Sequence, residues 1–370
     1  MIIPEKLISL SGYYGSNKAY VIAGGGNTSY KKGDSLWIKA SGIPLAGIDE
    51  SGFVCLSRMK LAEISSSDYS TDPFLREEEI KKDLLDAIKG DSNKRPSVET
   101  SLHNLINFPY VVHTHPTSVN ALLCSVDAKM LTKKLFGNEV LFVDYTNPGY
   151  ELFKQTEEQL VEYISACGSE PGVIFLGNHG MIVSGADPED IHFESERILK
   201  TVEAQFKRKL PSTGDLQHHE LYAAVVGELD DYFQSLKLFS LYRNNDLIRS
   251  FVDSKENFKK TVRPFTPDNV VYCKSKYLYS SARTGKVIAD FESFKLKYGY
   301  FPRIIALEKD GLIALGPDEK SAASAMEVFQ DMLKISFLSG NFNGPRFLSD
   351  EQIHFIDTWE AENYRRSIKS

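Results

Sequence analysis

Pro171-Gly-Val-Ile-Phe-Leu-Gly-Asn-His-Gly-Met-Ile-Val-Ser-Gly-Ala-Asp187 decides the fold class. Two apolar runs of strand length flank Gly177-Asn-His-Gly180, where glycine permits a sharp turn. The stretch beyond, 188–210, places Ile191, Ile198, Val202 and Phe206 on one helical face. Strand, turn, strand and amphipathic helix in succession read as an α/β or α+β domain. Upstream, Pro109 to His115 is β-rich, and residues 77–88 space Ile80, Leu84 and Ile88 four apart as one helix face. Pro96 and Ser97 open another helix, with Leu102, Leu105 and Ile106 as its buried stripe. Residues 19–23 and 35–40 read as strands either side of a Lys-Lys-Gly-Asp turn.

The opening pattern returns later in the chain. Pro302-Arg-Ile-Ile-Ala-Leu-Glu-Lys-Asp-Gly-Leu-Ile-Ala-Leu-Gly-Pro-Asp318 lies on it without a gap, and Ala322, Met326, Phe329 and Leu333 mark a following helix. A weaker echo sets Val111–His115 against Val270–Lys274. The copy then carries Tyr272, Lys274 and Asp310 where the first has three histidines, so it could not hold the same metal. Two unrelated units sharing common residues are the alternative. The expected organisation is a domain over 1–210, a helical connector over 211–255 and a smaller C-terminal α/β region over 256–370. Leu221, Val225, Leu229, Tyr232, Leu236 and Phe239 mark the connector helix, and polar Ser254–Pro267 reads as a linker.

With 370 residues, 42% hydrophobic and 25% charged, the chain is globular in composition, which sets aside disordered and coiled-coil classes. A net charge of −7 gives no electrostatic footprint for nucleic acid or anionic lipid. No apolar run reaches the roughly 20 residues that span a bilayer, and Glu5 and Lys6 interrupt any N-terminal signal. Cys55, Cys124, Cys167 and Cys273 are scattered, as reduced cytoplasmic thiols are. The expected location is the cytoplasm.

Chemistry concentrates in Val111-Val-His113-Thr-His115-Pro116. In a strand, residues i and i+2 share a face, so both imidazoles project together. His179, in the turn quoted first, supplies a third. Three neutral imidazoles with an open position describe a catalytic zinc-type site rather than a closed structural one. Paired surface histidines on an edge strand would be the alternative for the first two alone. Ala23-Gly-Gly-Gly26-Asn27-Thr-Ser29 offers glycines and polar donors to an anion but is neither a dinucleotide fingerprint nor a P-loop. Lys39-Ala-Ser41-Gly42 is a second corner of that kind. In Arg95-Pro-Ser97-Val-Glu99-Thr, Ser97 can cap a helix whose first turn holds Glu99, a ready general base beside a metal-bound carbonyl compound. His103, His192, His218, His219 and His354 have no such constellation and read as structural or solvent-exposed.

Together, Gly-Gly-Gly26-Asn27-Thr-Ser, Lys-Ala-Ser41-Gly42, Arg-Pro-Ser97-Val-Glu99-Thr, His113-Thr-His115-Pro and Asn-His179-Gly resemble, in order, the class II aldolase/adducin family over roughly residues 20–205. Within it the chain is most similar to the aldolase half of proteins that fuse a rhamnulose-1-phosphate aldolase to a short-chain dehydrogenase, without the dehydrogenase. Thr266-Pro-Asp-Asn-Val-Val-Tyr-Cys273 and the Phe355-Ile-Asp-Thr-Trp-Glu-Ala-Glu tail carry the same likeness.

The resemblance implies a three-layer α-β-α fold around a mainly antiparallel sheet. It implies His113, His115 and His179 as ligands of a divalent ion, usually Zn2+, and Glu99 as catalytic carboxylate. Gly26, Asn27, Ser41, Gly42 and Ser97 match phosphate-binding positions. Tyr145, in Asp144-Tyr-Thr-Asn-Pro-Gly149, matches a tyrosine that protonates the aldehyde oxygen, often from a neighbouring subunit. The implied reaction cleaves a ketose 1-phosphate of rhamnulose or fuculose type to dihydroxyacetone phosphate and an aldehyde, in a homo-oligomer, commonly a tetramer. A pentulose-phosphate 4-epimerase, a dehydratase and a non-catalytic adducin-like interaction protein are the alternatives. Fuculose-type aldolases have two serines before the glutamate; here Val98 follows Ser97, removing one phosphate-facing hydroxyl.

Overall fold

A computed structural model describes residues 3–90, 92–216 and 220–359. The chain divides into two compact units, Met1–Gln205 and Phe206–Ser370. His218, His219 and the end of the aromatic tail lie outside the described residues. Among the described residues no helix is long and apolar enough to cross a membrane.

The first unit contains strands β1 (Asn27–Lys32), β2 (Ser35–Lys39), β3 (Phe53–Ser57), β4 (Tyr110–Thr114), β5 (Val140–Val143), β6 (Val173–Leu176) and β7 (Gly180–Gly185). Its helices are α1 (Glu5–Ser16), α2 (Arg58–Ser66), α3 (Pro73–Asp86), α4 (Thr100–Leu105), α5 (Thr117–Leu123), α6 (Ala128–Phe136), α7 (Tyr150–Cys167) and α8 (Pro188–Glu203). The strands form one sheet in the order β3-β2-β1-β4-β7-β6-β5, antiparallel except where β5 runs with β6. On one face Leu61, Ile64, Ile80 and Leu84 pack on Leu36, Ile38, Val54 and Leu56, and Leu102, Leu152 and Leu160 on Val111, Ile174 and Ile182. Helices α1, α5 and α8 occupy the other face. The expected three-layer, mainly antiparallel architecture is present.

Three local expectations fail. Residues 19–23 are not a strand: Ala23 at φ +53° and Gly26 at φ +70° break the extension, and β1 starts within the glycine motif at Asn27. The helix expected from Pro96 starts at Thr100, with Glu99 as its N-cap and no cap from Ser97. The 188–210 helix ends at Glu203.

Glu77, on α3, is buried, and its Oε1 accepts the Tyr150 N–H at 3.2 Å. Burial raises its carboxyl to about 7, against an ordinary value near 4.5. Between those values the folded state keeps a proton that the unfolded state releases, so stability falls as pH rises through that window. The full loss is about 3 kcal/mol. Glu77→Gln keeps the acceptor without the charge. Denaturant titrations should find the variant equal to the native protein at pH 4 and more stable by about 2–3 kcal/mol at pH 8; equal stability at pH 8 would remove the assignment.

The second unit contains α9 (Glu220–Ser235), β8 (Phe239–Arg243), α10 (Asp246–Val252), α11 (Lys255–Thr261), α12 (Pro267–Cys273), β9 (Leu278–Ser280), α13 (Thr284–Tyr298), β10 (Ile304–Leu307), β11 (Leu312–Gly316), α14 (Glu319–Leu338) and α15 (Asp350–Thr358). Its sheet runs β8-β11-β10-β9, with β9 parallel to β10 and the other pairs antiparallel. That order and those directions match β4-β7-β6-β5 in the first unit. The stretch expected as a connector is thus part of this unit: Phe239 opens a strand instead of ending a helix, and Ser254–Pro267 holds α11. The weaker echo is also misplaced. Val270–Cys273 is helical, and β8 takes the place of β4.

Candidate active site

All the singled-out motifs except the Tyr145 loop gather where β1 begins and β4 ends. Asn27 pairs with His113 across the β1–β4 ladder, and Thr114 pairs with Met181 across β4–β7, which brings the 177–180 turn alongside. Asn178 at φ +54° makes that turn, a left-handed conformation that asparagine tolerates. Two hydrogen bonds from its neighbours hold it. Asn178 N–H donates to Leu123 O at 3.1 Å, and Asn120 Nδ2 donates to His179 O at 3.1 Å.

His113, His115 and His179 consequently converge. Their ligand atoms lie within 4.8 Å of one another. The Nε2 atoms of His113 and His115 are 3.2 Å apart, and the three ring centroids are separated by 4.8–5.2 Å. His113 and His179 are buried and His115 half-buried. Three imidazoles facing one point fit a nitrogen-ligated divalent ion with a coordination position to spare.

Glu99 closes the group from α4. Its Oε2 lies 2.8 Å from His113 Nδ1 and also accepts the Asn27 Nδ2 donor, while Oε1 is 3.4 Å from His179 Nε2. Burial pushes this carboxyl up, but the charges of His113 and His179 and the hydrogen bonds from His113 and Asn27 outweigh it, holding Glu99 well below the usual range. Ser97 Oγ accepts from Glu99 N–H at 3.3 Å and from Asn27 Nδ2 at 3.4 Å. Ser41 N–H donates to Arg95 O at 2.9 Å, so the Ser41-Gly42 corner, with Gly42 at φ +80°, runs beside the Ser97 segment. Gly26 is required by contact as well as by φ, since a Cβ there would sit 2.7 Å from His113 O.

Tyr145 is separate. It follows β5, three strand positions from β4 and at the same end of the sheet as His179, and Val143 O at the end of β5 accepts the Gly177 N–H at 2.9 Å. Its hydroxyl is buried with no hydrogen-bond partner among the described residues, and burial raises its pKa. His103 belongs to the scaffold: it is fully buried, its Nδ1 meets Ser29 Oγ at 2.8 Å, and burial lowers its pKa to about 3. His192 packs between the rings of Tyr13 and Tyr14, and His354 is exposed. Asn120 is the positioning residue that motif reading missed. Its trace was a lone amide in the apolar run Val119-Asn-Ala-Leu-Leu-Cys124.

Residues 6–206 match the class II aldolase and adducin N-terminal domain, more than half of the chain. The chain belongs to the class II aldolase and adducin family. Such a domain places the chain among aldolase-like enzymes, some of whose members are epimerases. It is 26% identical to the L-fuculose phosphate aldolase of Methanocaldococcus jannaschii over 49% of this chain and 83% of that one. It is 24% identical, over 98% of its own length, to a Bacillus subtilis (strain 168) protein named uncharacterized oxidoreductase YuxG, and spans 58% of that protein. Among solved structures, the N-terminal class II aldolase domain of a conserved protein from Thermoplasma acidophilum aligns at a TM-score of 0.47 and 24% identity, covering 55% of this chain and 94% of that one.

Proposed function

We propose that this class II aldolase-family chain cleaves a ketose 1-phosphate of the rhamnulose or fuculose type into dihydroxyacetone phosphate and an aldehyde. The observation that carries this reading is the convergence of His113, His115 and His179 on one point with the Glu99 carboxylate against two of them. The three imidazoles would hold a divalent ion, zinc by donor chemistry, which when bound supplies Lewis-acid stabilisation of charge on the substrate oxygens. Glu99 Oε2 takes the His113 Nδ1–H and so leaves Nε2 as the ligand atom. As the C3–C4 bond breaks, its electron pair stays with C3, the C4 hydroxyl gives up its proton, and the aldehyde departs. Glu99, ionised at the outset, accepts the proton that the C4 hydroxyl gives up and delivers it to C3 of the dihydroxyacetone phosphate fragment. Gly26, Asn27, Ser41, Gly42 and Ser97 supply the polar rim for the phosphate, with Val98 giving none. Tyr145 serves the aldehyde oxygen in the site of another copy of the chain within a homo-oligomer, a tetramer.

The test is metal analysis together with a retro-aldol screen over ketose 1-phosphates and their unphosphorylated forms. One equivalent of zinc per chain, lost in His113→Ala, with free dihydroxyacetone phosphate released, is the expected result. An epimerised pentulose phosphate with no free fragment would assign an epimerase instead. A natively folded protein that takes up no divalent ion would end the enzyme reading.

A further inference from the structure

Glu99 stands at the head of a helix that cannot hold itself. Helix α4 has six residues, too few to be stable alone, and no side chain caps its N-terminus. One face of β1 supplies the support. Residues 27, 29 and 31 project to the same side of that strand, and each reaches the helix. Asn27 Nδ2 donates to the Glu99 carboxylate, Ser29 Oγ lies 2.8 Å from His103 Nδ1, and Lys31 Nζ donates to His103 O at 2.8 Å. His103 in turn donates its backbone N–H to Glu99 O at 3.0 Å. Carboxylate and imidazole, four residues apart, thus share the helix face turned to β1.

Lys31 is the costly member of this row. It is 5% exposed on a strand paired on both sides, and among the described residues no carboxylate forms an ion pair with it. Burial lowers its pKa to about 7, the Arg58 charge adds to that, and Glu170 opposes it. An ammonium taken from water without a counter-ion works against folding. An apolar side chain of similar length would serve stability better. What the ammonium does is local: His103 O is one of the last four carbonyls of α4, which have no partner inside the helix, and a cation there favours it. Arg58 Nε, from the neighbouring α2, holds the same end through the Asn104 side chain, donating to Oδ1 at 3.1 Å.

We propose that Lys31 is a positioning residue for Glu99: its ammonium pins the C-terminal end of α4 while Ser29 pins the His103 ring, and together they fix the helix so that the Glu99 carboxylate sits against His113. Lys31 touches neither the triad nor the carboxylate itself; it acts through the backbone of the helix. The consequence for turnover rests on the aldolase reading of the site, whereas the placement of Glu99 does not.

The experiment uses the full chain and Lys31→Met, which keeps the length of the side chain and removes the ammonium. The first readout needs neither activity nor metal. In metal-free protein carrying 15N-labelled histidine, exchange of the His113 Nδ1 proton, held by Glu99 at 2.8 Å, should quicken about tenfold or more. The variant should also unfold at a higher denaturant concentration than the native protein, because the buried charge is gone. Loaded with zinc, it should keep one equivalent and lose about 10–100-fold in kcat, with KM for the ketose 1-phosphate nearly unchanged. Unchanged ring-proton exchange in the folded variant would overturn the proposal. So would a lower midpoint with faster exchange throughout the sheet, which is general loosening, and so would native kcat in an active enzyme. If Lys31→Met does not fold, Ser29→Ala takes its place under the same ring-proton criterion. If the native protein turns over no ketose phosphate, the function reading fails, and the exchange of the His113 proton alone decides the role of Lys31.

Discussion

Glu99→Gln will leave a folded, metal-loaded protein whose retro-aldol turnover is lower by about 10²–10⁴-fold, the usual worth of a positioned general acid–base group. The fold tolerates the change because the amide oxygen can still accept from His113 Nδ1. The same oxygen, at the Oε2 position, still accepts from Asn27 Nδ2, and the new amide nitrogen takes the Oε1 position near His179. The three imidazoles stay in place, so zinc content should remain near one equivalent. What is lost is the charge that carries a proton. The loss should therefore appear in kcat, with KM for the ketose 1-phosphate nearly unchanged. Retained turnover with zinc still bound would show that another group moves the proton, and lost zinc would make Glu99 a ligand instead of a base.

Much of the fold and the site was legible because the decisive signals are local. Gly177-Asn-His-Gly180 between two apolar runs specifies hairpin and ligand together, and His113-Thr-His115 follows from the two-residue period of a strand. The failure at β1 has a physical cause. Asn-Thr-Ser-Tyr-Lys-Lys is polar, yet it is a central strand paired on both sides. Its faces are satisfied by hydrogen bonds instead of apolar packing: Thr28 meets Ser11 on one side, while Asn27 meets Glu99 and Ser29 and Lys31 meet His103 on the other. Hydrophobic periodicity cannot see such a strand and points instead to the apolar 19–23 segment, a loop in which only Tyr20 and Val21 are buried. The Val270–Lys274 echo failed for the opposite reason. It matched two valines without a test of register, whereas the true counterpart of β4, Phe239–Arg243, shares almost no residues with it and is identified by its ladder to β11.

Gly180→Ala should disable the site as thoroughly as loss of a ligand. The added Cβ would lie 2.5 Å from both His115 Cδ2 and Thr114 O, and 3.1 Å from His113 Nε2. Rotation of a ring could relieve the first contact, but Thr114 O is backbone of β4 in the ladder to β7, so the two strands must move apart. That displacement carries His113 and His115 away from His179. Zinc affinity should fall about 100-fold or more, beyond the usual effect of losing a group that only supports a ligand, and stability by about 1–3 kcal/mol from overpacking. Gly12→Ala is the control: it lies within α1, nothing stands within 4 Å of its added Cβ, and the substitution should leave zinc binding intact while adding up to about 1 kcal/mol of stability. Zinc titration of the two variants side by side separates a requirement for space at residue 180 from a general sensitivity to glycine replacement. Native zinc affinity in Gly180→Ala would mean that the strands close around the histidines less tightly than their packing indicates.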